Sequence, residues 1–287
     1  MTTRSAALTA FLAANPQAIV CTLTSVRGSS PREQGTFMLV GARDSFGTIG
    51  GGALEYMVID HARRLIASGQ AEEAMDVPLG PEIGQCCGGR VAVSLRYADA
   101  PIRTQLTARV AEEDAALPHV YLFGAGHVGR ALAKILALLP VRLQVIDTRR
   151  DELDLLPEGI LAHAVAMPEA VVRSAPQGSS YVILTHDHAL DFLIAQEALA
   201  RADAPYVGMV GSRTKRAKFS SWFKAEGGDA RALERLVLPI GQQGLGDKRP
   251  EVIAALAAAE IMVHIGQREA EIARAHTPKA QGVVIGR

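Results

Sequence analysis

The sequence predicts an α/β protein in which a smaller α+β domain precedes a parallel sheet with helices on both faces. Three observations lead to this fold class. The 287 residues exceed the roughly 150 residues of a typical domain. From residue 119 onward, short apolar strands alternate with helical patterns, which indicates a parallel sheet with right-handed crossovers. Before that point, β-branched runs are separated by glycine clusters, as in a mixed domain.

The same change of pattern divides the chain into four segments. We predict an N-terminal domain over residues 1–98, a connector over 99–118, the parallel-sheet domain over 119–270 and a tail over 271–287. The connector begins with a proline-containing stretch, continues as a helix with an acidic end and stops at a second proline. The tail is small and polar, which favours mobility.

The N-terminal domain is predicted to begin with a short amphipathic helix that stops at Asn15 and Pro16. Three runs rich in β-branched residues indicate strands. A helix is predicted over residues 53–68, because apolar side chains recur there at spacings of three and four. The three predicted strands are residues 18–26, 36–40 and 90–97.

The second domain is predicted to contain five parallel strands with helical patterns between most of them, the stretch near 168–175 being the least regular. A last long helix is expected to start at Pro250 and to run to about residue 265, because proline is favoured in a first turn. The predicted strands are residues 120–123, 142–146, 160–165, 180–185 and 205–210.

Composition narrows the classes of function. Lys and Arg together number 30, as do Asp and Glu, so no global charge attracts nucleic acid or an anionic membrane. Aromatic residues make up 5%, which argues against stacking platforms for single strands. The N-terminus resembles no signal peptide, and no apolar run is long enough to span a bilayer. Three cysteines form no disulfide framework, so we expect a cytoplasmic protein.

The most informative motif is G-x-G-x-x-G, which lies between the first strand and first helix of the second domain. Gly124 permits a tight turn, Gly126 lets the backbone approach a pyrophosphate, and Gly129 lets the helix lie close to the strand. Free N–H groups at the helix start face the anion. Asp147, eighteen residues after Gly129, is placed to accept from a ribose 2′-OH. We therefore expect a Rossmann-like domain, with a retained fold and a repurposed site as the alternative.

Two glycine-rich segments of the N-terminal domain could also bind an anion. The loop over residues 25–35 carries Arg27 and Arg32, which could hold an anion bidentately or could belong to a solvated hairpin. Three consecutive glycines centred on Gly51 could leave bare N–H groups for an anion. The alternative for that segment is a plain strand-to-helix turn, in which Glu55 complements the helix dipole.

A further glycine-rich loop over residues 84–89 carries Cys86 and Cys87. Thiols in such a loop are more accessible than cysteines inside an element and could act as a soft ligand or a sulfur carrier. Structural zinc is not expected, because the chain has no C-x-x-C partner. Adjacent cysteines rarely bind one metal together, so we expect one of the two to matter more.

Polar side chains follow the fourth strand of the second domain, at the edge where such folds bind ligands. Four of them could ligate a metal, although helix capping and ligand contact are the favoured interpretations. These four residues are His186, Asp187, His188 and Asp191.

The fifth strand is followed by a similar polar turn. Ser212 is a good N-cap, whereas the three cations after it, Arg213, Lys215 and Arg216, oppose the helix dipole. This placement favours a phosphate contact over a solvated basic face. Residues 239–250 form another glycine-rich turn before the last helix.

Together these segments resemble the xanthine dehydrogenase accessory protein family over about residues 10–265. The combination is specific, because an ordinary dehydrogenase carries neither Cys-Gly-Gly nor Arg-Gly-Ser-Ser-Pro before its Rossmann unit. The motifs that carry the resemblance are residues 27–32, 47–52 with Glu55, 87–89, 124–129, 185–188, 208–213 and 241–250.

The resemblance implies a chaperone of purine catabolism, not an enzyme, that binds molybdenum cofactor in its molybdopterin form. Such proteins hold the cofactor while a cysteine desulfurase replaces an oxo ligand with sulfur. They then insert it into the molybdenum-binding subunit of apo-xanthine dehydrogenase. Self-association is also implied, and we expect a homodimer.

The cofactor is expected between the N-terminal domain and the carboxyl edge of the sheet. Cys87 matches the family cysteine and is the expected molybdenum ligand, whereas Cys86 is an additional thiol. The full set of expected cofactor-binding residues is Arg27, Gly51, Cys87, Gly124, Gly126, His127, Gly129, Asp147, His186, Asp187, Ser212 and Arg213.

Two other functions stay open on the sequence. One is an NAD-dependent oxidoreductase in which His127 or His186 transfers a proton. The other is an interaction module with a vestigial site. Bound pterin and molybdenum would favour the chaperone, tight NADH binding with turnover would favour the enzyme, and neither ligand would favour the module.

Overall fold

The computed structural model describes residues 3–81, 88–241 and 246–276. The chain forms two compact units, Thr2–Ala116 and Leu117–Arg287. The first unit contains a five-stranded antiparallel sheet with strand order β3-β2-β1-β5-β4. Its strands are β1 (Ile19–Arg27), β2 (Phe37–Val40), β3 (Ser45–Gly47), β4 (Glu72–Pro78) and β5 (Arg90–Tyr97), and its helices are α1 (Arg4–Ala14), α2 (Gly52–Ser68) and α3 (Ala100–Ala115).

Helices cover both faces of this sheet. Successive side chains of a strand point to opposite faces, so each strand contributes to both cores. Ile19 and Cys21 of β1 pack toward α2, whereas Val20 packs toward α1 and α3. The three predicted strands and the helix over residues 53–68 are confirmed. Strands β3 and β4 were not predicted. In β4 only Val77 is buried, so an edge strand of this kind has a weak apolar signal.

Most of the predicted connector over residues 99–118 is helix α3, which lies within the first unit. Leu106 and Val110 of α3 are buried in the same core as α1. Arg103 donates to carbonyl groups at the end of α1, including that of Leu12 at 2.8 Å. The sequence pattern predicted the helix but not its packing against α1, because α3 has too few large apolar residues to indicate which of its faces is buried.

The second unit contains a parallel sheet of six strands in the order β11-β10-β9-β6-β7-β8. All five predicted strands are confirmed, and the two-residue β11 is additional. From β6 the chain adds β7 and β8 on one side and then crosses to add β9, β10 and β11 on the other. The gap between β6 and β9 is therefore the switch point where Rossmann folds bind ligands. The strands are β6 (His119–Phe123), β7 (Arg142–Asp147), β8 (Leu161–Ala164), β9 (Ser180–Ile183), β10 (Val207–Met209) and β11 (Leu236–Val237).

Helices cover both faces of this sheet, with α4, α5 and α9 on one side and α6, α7 and α8 on the other. Helix α9 starts at Pro250 as predicted but continues to His276, so the predicted tail over residues 271–287 begins inside a helix. None of the helices in the described ranges has the length and apolarity that a bilayer crossing requires. The helices are α4 (His127–Leu136), α5 (Arg150–Leu153), α6 (Pro168–Ser174), α7 (His188–Ala200), α8 (Arg213–Ala225) and α9 (Pro250–His276).

Candidate functional site

The glycine-rich turn between β6 and α4 lies at the switch point, and its three glycines have different surroundings. Gly124 has a φ of +110°, and a Cβ there would lie 2.3 Å from the carbonyl oxygen of Leu184. A Cβ at Gly129 would lie 2.0 Å from the carbonyl oxygen of Gly124. The predicted roles of these two glycines, a tight turn and a close helix approach, are confirmed. Around Gly126 nothing lies within 4 Å of such a Cβ, so only this position leaves the backbone open to a ligand.

Helix α4 begins with amide groups that no side chain of the described residues caps, since its N-cap is Gly126. First-turn N–H groups of a helix have no acceptor within the helix, and the helix dipole adds positive potential there. The start of α4 is therefore suited to a phosphate group. His127 is exposed at the first position of this helix.

Asp147, at the end of β7, has an exposed fraction of 4%. Its Oδ2 accepts from the N–H of Ala125 at 2.7 Å, and its Oδ1 accepts from the N–H of Arg149 at 3.0 Å. The side chain of Arg149 donates through Nε and Nη2 at 3.1 and 3.0 Å. Burial alone would raise the pKa of Asp147, but the hydrogen bonds from Arg149 and Ala125 outweigh it and lower that pKa. Asp147 thus anchors the turn, and its ribose contact stays a prediction.

A chain of alternating charges extends from Asp147 along the turn. Arg149 reaches Glu152 at 3.4 Å, and Glu152 also pairs with Arg130. Arg130 Nη1 donates to the carbonyl of Ala125 at 2.9 Å. Asp147 therefore holds the N–H of Ala125 while Arg130 holds its carbonyl. The sequence analysis missed Arg130, Arg149 and Glu152. A signal existed only for Arg149 and Glu152, whose spacing of three residues suits a helical ion pair.

The loop after β9 is organised by a buried carboxylate. Asp191 is fully buried, and its Oδ1 accepts from the N–H of Thr185 at 2.9 Å and from Thr185 Oγ1 at 2.7 Å. Its other oxygen forms an ion pair with Lys215 of α8. Asp191 therefore fixes the loop to the neighbouring helix, and both of its oxygens already accept hydrogen bonds from the protein.

The described residues contain no group of three or more His, Cys, Asp or Glu able to hold an ion, so the structure gives no support to the metal alternative for this loop. The favoured interpretation, capping, is confirmed, because Asp187 Oδ1 accepts from the N–H of Ala189 at 2.7 Å. His186 and His188 are exposed. A ligand contact by His186 or Asp187 stays a prediction.

The cations after β10 serve different purposes. Lys215 is buried and donates to the carbonyl of Val210 at 2.9 Å in addition to its pairing with Asp191. Arg216 donates to the carbonyl of Leu236 at 2.9 Å. A phosphate contact by Lys215 or Arg216 is therefore wrong, because both side chains point into the protein. Their position in a first turn reflects partners that lie far away in the sequence.

Two other residues of this turn, Ser212 and Arg213, do not point into the protein as Lys215 and Arg216 do. Ser212 is the N-cap of α8, and its Oγ accepts from the N–H of Lys215 at 3.2 Å, which confirms the predicted cap. Arg213 is exposed beside it. Arg213 is therefore the first-turn cation of α8 that stays a candidate for an anionic ligand.

In the first unit, glycine-rich segments meet at the end of β1. Gly89 approaches Ser29 so closely that a Cβ would lie 2.0 Å from the carbonyl oxygen of Ser29. A Cβ on Gly50 would lie 2.5 Å from Cγ of Pro31. The loop that carries the exposed Arg27 therefore contacts both other glycine-rich segments. Cys86 and Cys87 lie outside the described residues.

The turn before α2 is occupied by a side chain of its own helix. Residues 50–52 have positive φ values of 133°, 75° and 65°. Glu55 Oε2 accepts from the N–H of Ile49 at 3.2 Å, from that of Gly51 at 3.0 Å and from Thr48 Oγ1 at 2.5 Å. The expectation of a bare N–H at Gly51 is therefore wrong, and a strand-to-helix turn describes this segment.

Known proteins place both units in one family. Residues 120–261 match the XdhC Rossmann domain, and residues 11–77 match the XdhC and CoxI family. The Escherichia coli K12 protein named uncharacterized protein YqeB is 28% identical over 251 residues, which cover 82% of this chain. The chain spans only 41% of the length of that relative.

Among solved structures, a Bacillus halodurans crystal structure described as a xanthine dehydrogenase is similar in fold, with a TM-score of 0.78. The identity is 18%, and the match covers 96% of this chain and 98% of the other. The fold similarity agrees with the two family matches and with the motifs of the sequence. The chain therefore belongs to the XdhC and CoxI family.

Proposed function

We propose that this protein binds molybdenum cofactor, holds it during sulfuration by a cysteine desulfurase, and inserts it into the molybdenum-binding subunit of apo-xanthine dehydrogenase. The observation that carries the proposal is the open backbone at Gly126 together with the uncapped start of α4. Membership of the XdhC family supports an association with xanthine dehydrogenase.

The residues of the second unit fit the phosphate of molybdopterin. The open Gly126 admits a phosphate oxygen close to the backbone, and the first-turn amides of α4 can donate to it. Arg213 is an exposed cation in another first turn of the same unit. Molybdopterin carries its own dithiolene ligands, so the metal needs no cluster of protein donors, and one thiolate such as Cys87 would suffice.

The oxidoreductase alternative has less support from the site. A general acid or base needs an orienting partner and access to the substrate. His127 and His186 are exposed, but neither has a carboxylate or other side-chain partner among the described residues. A protein that only holds and transfers a cofactor needs no such group.

The proposal is tested by purifying the protein from cells that can and cannot make molybdopterin. We expect pterin fluorescence and molybdenum at close to one equivalent per chain from the first cells. Titration of molybdopterin into protein from the second cells should restore binding. Cofactor-free protein from both sources, with no binding on titration, would exclude the chaperone function.

Cys87 is proposed as the thiolate that contacts the molybdenum. Cys87→Ala removes the sulfur and keeps most of the volume, so the fold should survive while molybdenum content and client activation fall sharply. Cys86→Ala is the matched control and should change both much less, because Cys87 and not Cys86 matches the family cysteine. Unchanged molybdenum content and unchanged activation of apo-xanthine dehydrogenase in Cys87→Ala would assign Cys87 to packing.

We also propose that the protein acts in the cytoplasm, where its client matures, and that it is a two-fold homodimer, the commonest closed arrangement. Light scattering should then give twice the chain mass of 30.4 kDa.

A further inference from the structure

The end of β7 contains a feature that cofactor binding alone does not explain. In a dinucleotide-binding Rossmann site, the acid at this position accepts from a ribose 2′-OH. Asp147 occupies that position, and the side chain of Arg149, two residues later, lies directly on its carboxylate. The ribose position of this fold therefore carries a guanidinium group of the protein itself.

All hydrogen-bond acceptor sites of the Asp147 carboxylate are occupied. A carboxylate offers about four lone-pair sites. In this protein four donors use them, namely the N–H groups of Ala125 and Arg149 and the Nε and Nη2 atoms of Arg149. Because burial prevents water from replacing these bonds cheaply, a ribose hydroxyl must displace the side chain of Arg149 in order to bind.

The surrounding charges do not create a site for a phosphorylated ribose instead. Arg149 and Arg130 are balanced by Asp147 and Glu152, so this group of four has no net charge. Arg149 donates through Nε and Nη2 to one acid and through Nη1 to the other. An arginine committed in this way cannot offer its bidentate face to a 2′-phosphate.

We propose that Arg149 determines ligand specificity by closing the ribose position, so that the turn at Gly126 takes a phosphate monoester and discriminates against nucleotides with a free ribose. The preference for a pterin phosphate rests on the proposed function. The discrimination against ribose rests only on the contacts of Arg149 and Asp147. In this arrangement Arg149 acts on the ligand through Asp147 and is a positioning residue.

The test compares calorimetric titrations of ADP and 2′-deoxy-ADP into cofactor-free protein. Arg149→Ala frees two acceptor directions of Asp147, so ADP should bind roughly tenfold tighter or more, which is the effect of one hydrogen bond to a charged group. The affinity for 2′-deoxy-ADP should stay low, because it lacks the hydroxyl. Arg150→Ala is the matched control, since Arg150 is the adjacent exposed cation and the hydrogen bonds and ion pair of Asp147 come from Ala125 and Arg149.

Three outcomes overturn the proposal: wild-type protein that binds ADP as tightly as Arg149→Ala, no gain in Arg149→Ala, or an equal gain for both nucleotides. Thermal unfolding shows whether the variant is folded, and Arg149→Gln repeats the test with a longer side chain if it is not. Protein that carries no pterin after purification and binds none on titration would exclude the proposed function but would leave the nucleotide comparison interpretable. The two ideas can therefore fail separately.

Discussion

Two glycine-rich turns, residues 50–51 before α2 and residues 124–126 before α4, differ in what occupies their backbone amides. Before α2, Glu55 supplies the carboxylate and occupies the N–H of Gly51 at 3.0 Å. Before α4, the first turn contains no acidic residue and Gly126 provides no capping side chain. The turn before α2 is closed by a side chain of the protein, whereas the turn before α4 has no capping side chain among the described residues.

The comparison shows what an open turn requires. A turn that keeps its amides for a ligand must be fixed through other atoms. In this protein the fixed residue is Ala125, whose N–H is held by Asp147 and whose carbonyl is held by Arg130. Glycine clusters alone therefore do not identify a binding site. What distinguishes the two turns is the position of the nearest acid. Glu55 lies in the first turn of its own helix, whereas Asp147 lies at the end of a neighbouring strand.

The largest expected effect comes from Gly129→Ala, in which the new Cβ would lie 2.0 Å from a backbone oxygen. Because the backbone cannot yield as a flexible side chain would, we expect a loss of about 3 kcal/mol or more in the free energy of unfolding. Gly126→Ala is the matched control, with open space and a φ of −65°. Its stability should change by no more than about 0.5 kcal/mol, while molybdopterin retention falls.

Denaturant unfolding and pterin content of the two variants provide the measurement. Equal losses of stability at both positions would mean that the open space at Gly126 does not distinguish it from Gly129. Full cofactor retention in Gly126→Ala would remove this turn from the binding site. Either result would break the contrast between a closed and an open turn.

A smaller effect is expected from Glu55→Ala, which should convert the closed turn into an open one. Loss of the acceptor for two backbone N–H groups and one hydroxyl should cost about 1–3 kcal/mol of stability. Inorganic phosphate should then raise the melting temperature of this variant more than that of wild-type protein. Asp60→Ala is the control, because Asp60 lies on the same helix with its side chain 73% exposed. An identical phosphate response in all three proteins would show that the vacated amides bind no anion.

The sequence was sufficient for the local parts of this comparison. The predicted strands of the second unit and the roles of Gly124 and Gly129 depend on short-range patterns, and they are confirmed. The capping of α7 by Asp187 and of α8 by Ser212 is also local and could be predicted.

Contacts between distant residues could not be predicted in the same way. Lys215 was expected to meet a phosphate, but its partner Asp191 lies 24 residues earlier in another loop. The pairing of Arg130 with Glu152 spans 22 residues and depends on how β7 places α5 beside the turn. Glu55 was recognised as suited to the helix dipole. Its role in filling the turn depends on the backbone conformation of residues 50–52, which the glycines permit but do not dictate.

The smallest expected effect is a pH dependence of stability that arises from Asp147, which holds Ala125 in the turn before α4. The pKa of Asp147 is lower in the folded protein than its ordinary value, because the hydrogen bonds from Arg149 and Ala125 outweigh burial. Its contribution to stability is therefore complete above the unfolded pKa of about 3.9 and is lost as the pH falls through the lower, folded pKa. Other carboxylates titrate in the same range, so the useful quantity is the difference between wild-type protein and Asp147→Asn. We expect that difference in the free energy of unfolding to be constant from neutral pH down to about pH 5 and to shrink at lower pH. A difference that stays constant into strong acid would show that the charge of Asp147 does not hold Ala125, and the turn before α4 would then need another explanation for its order.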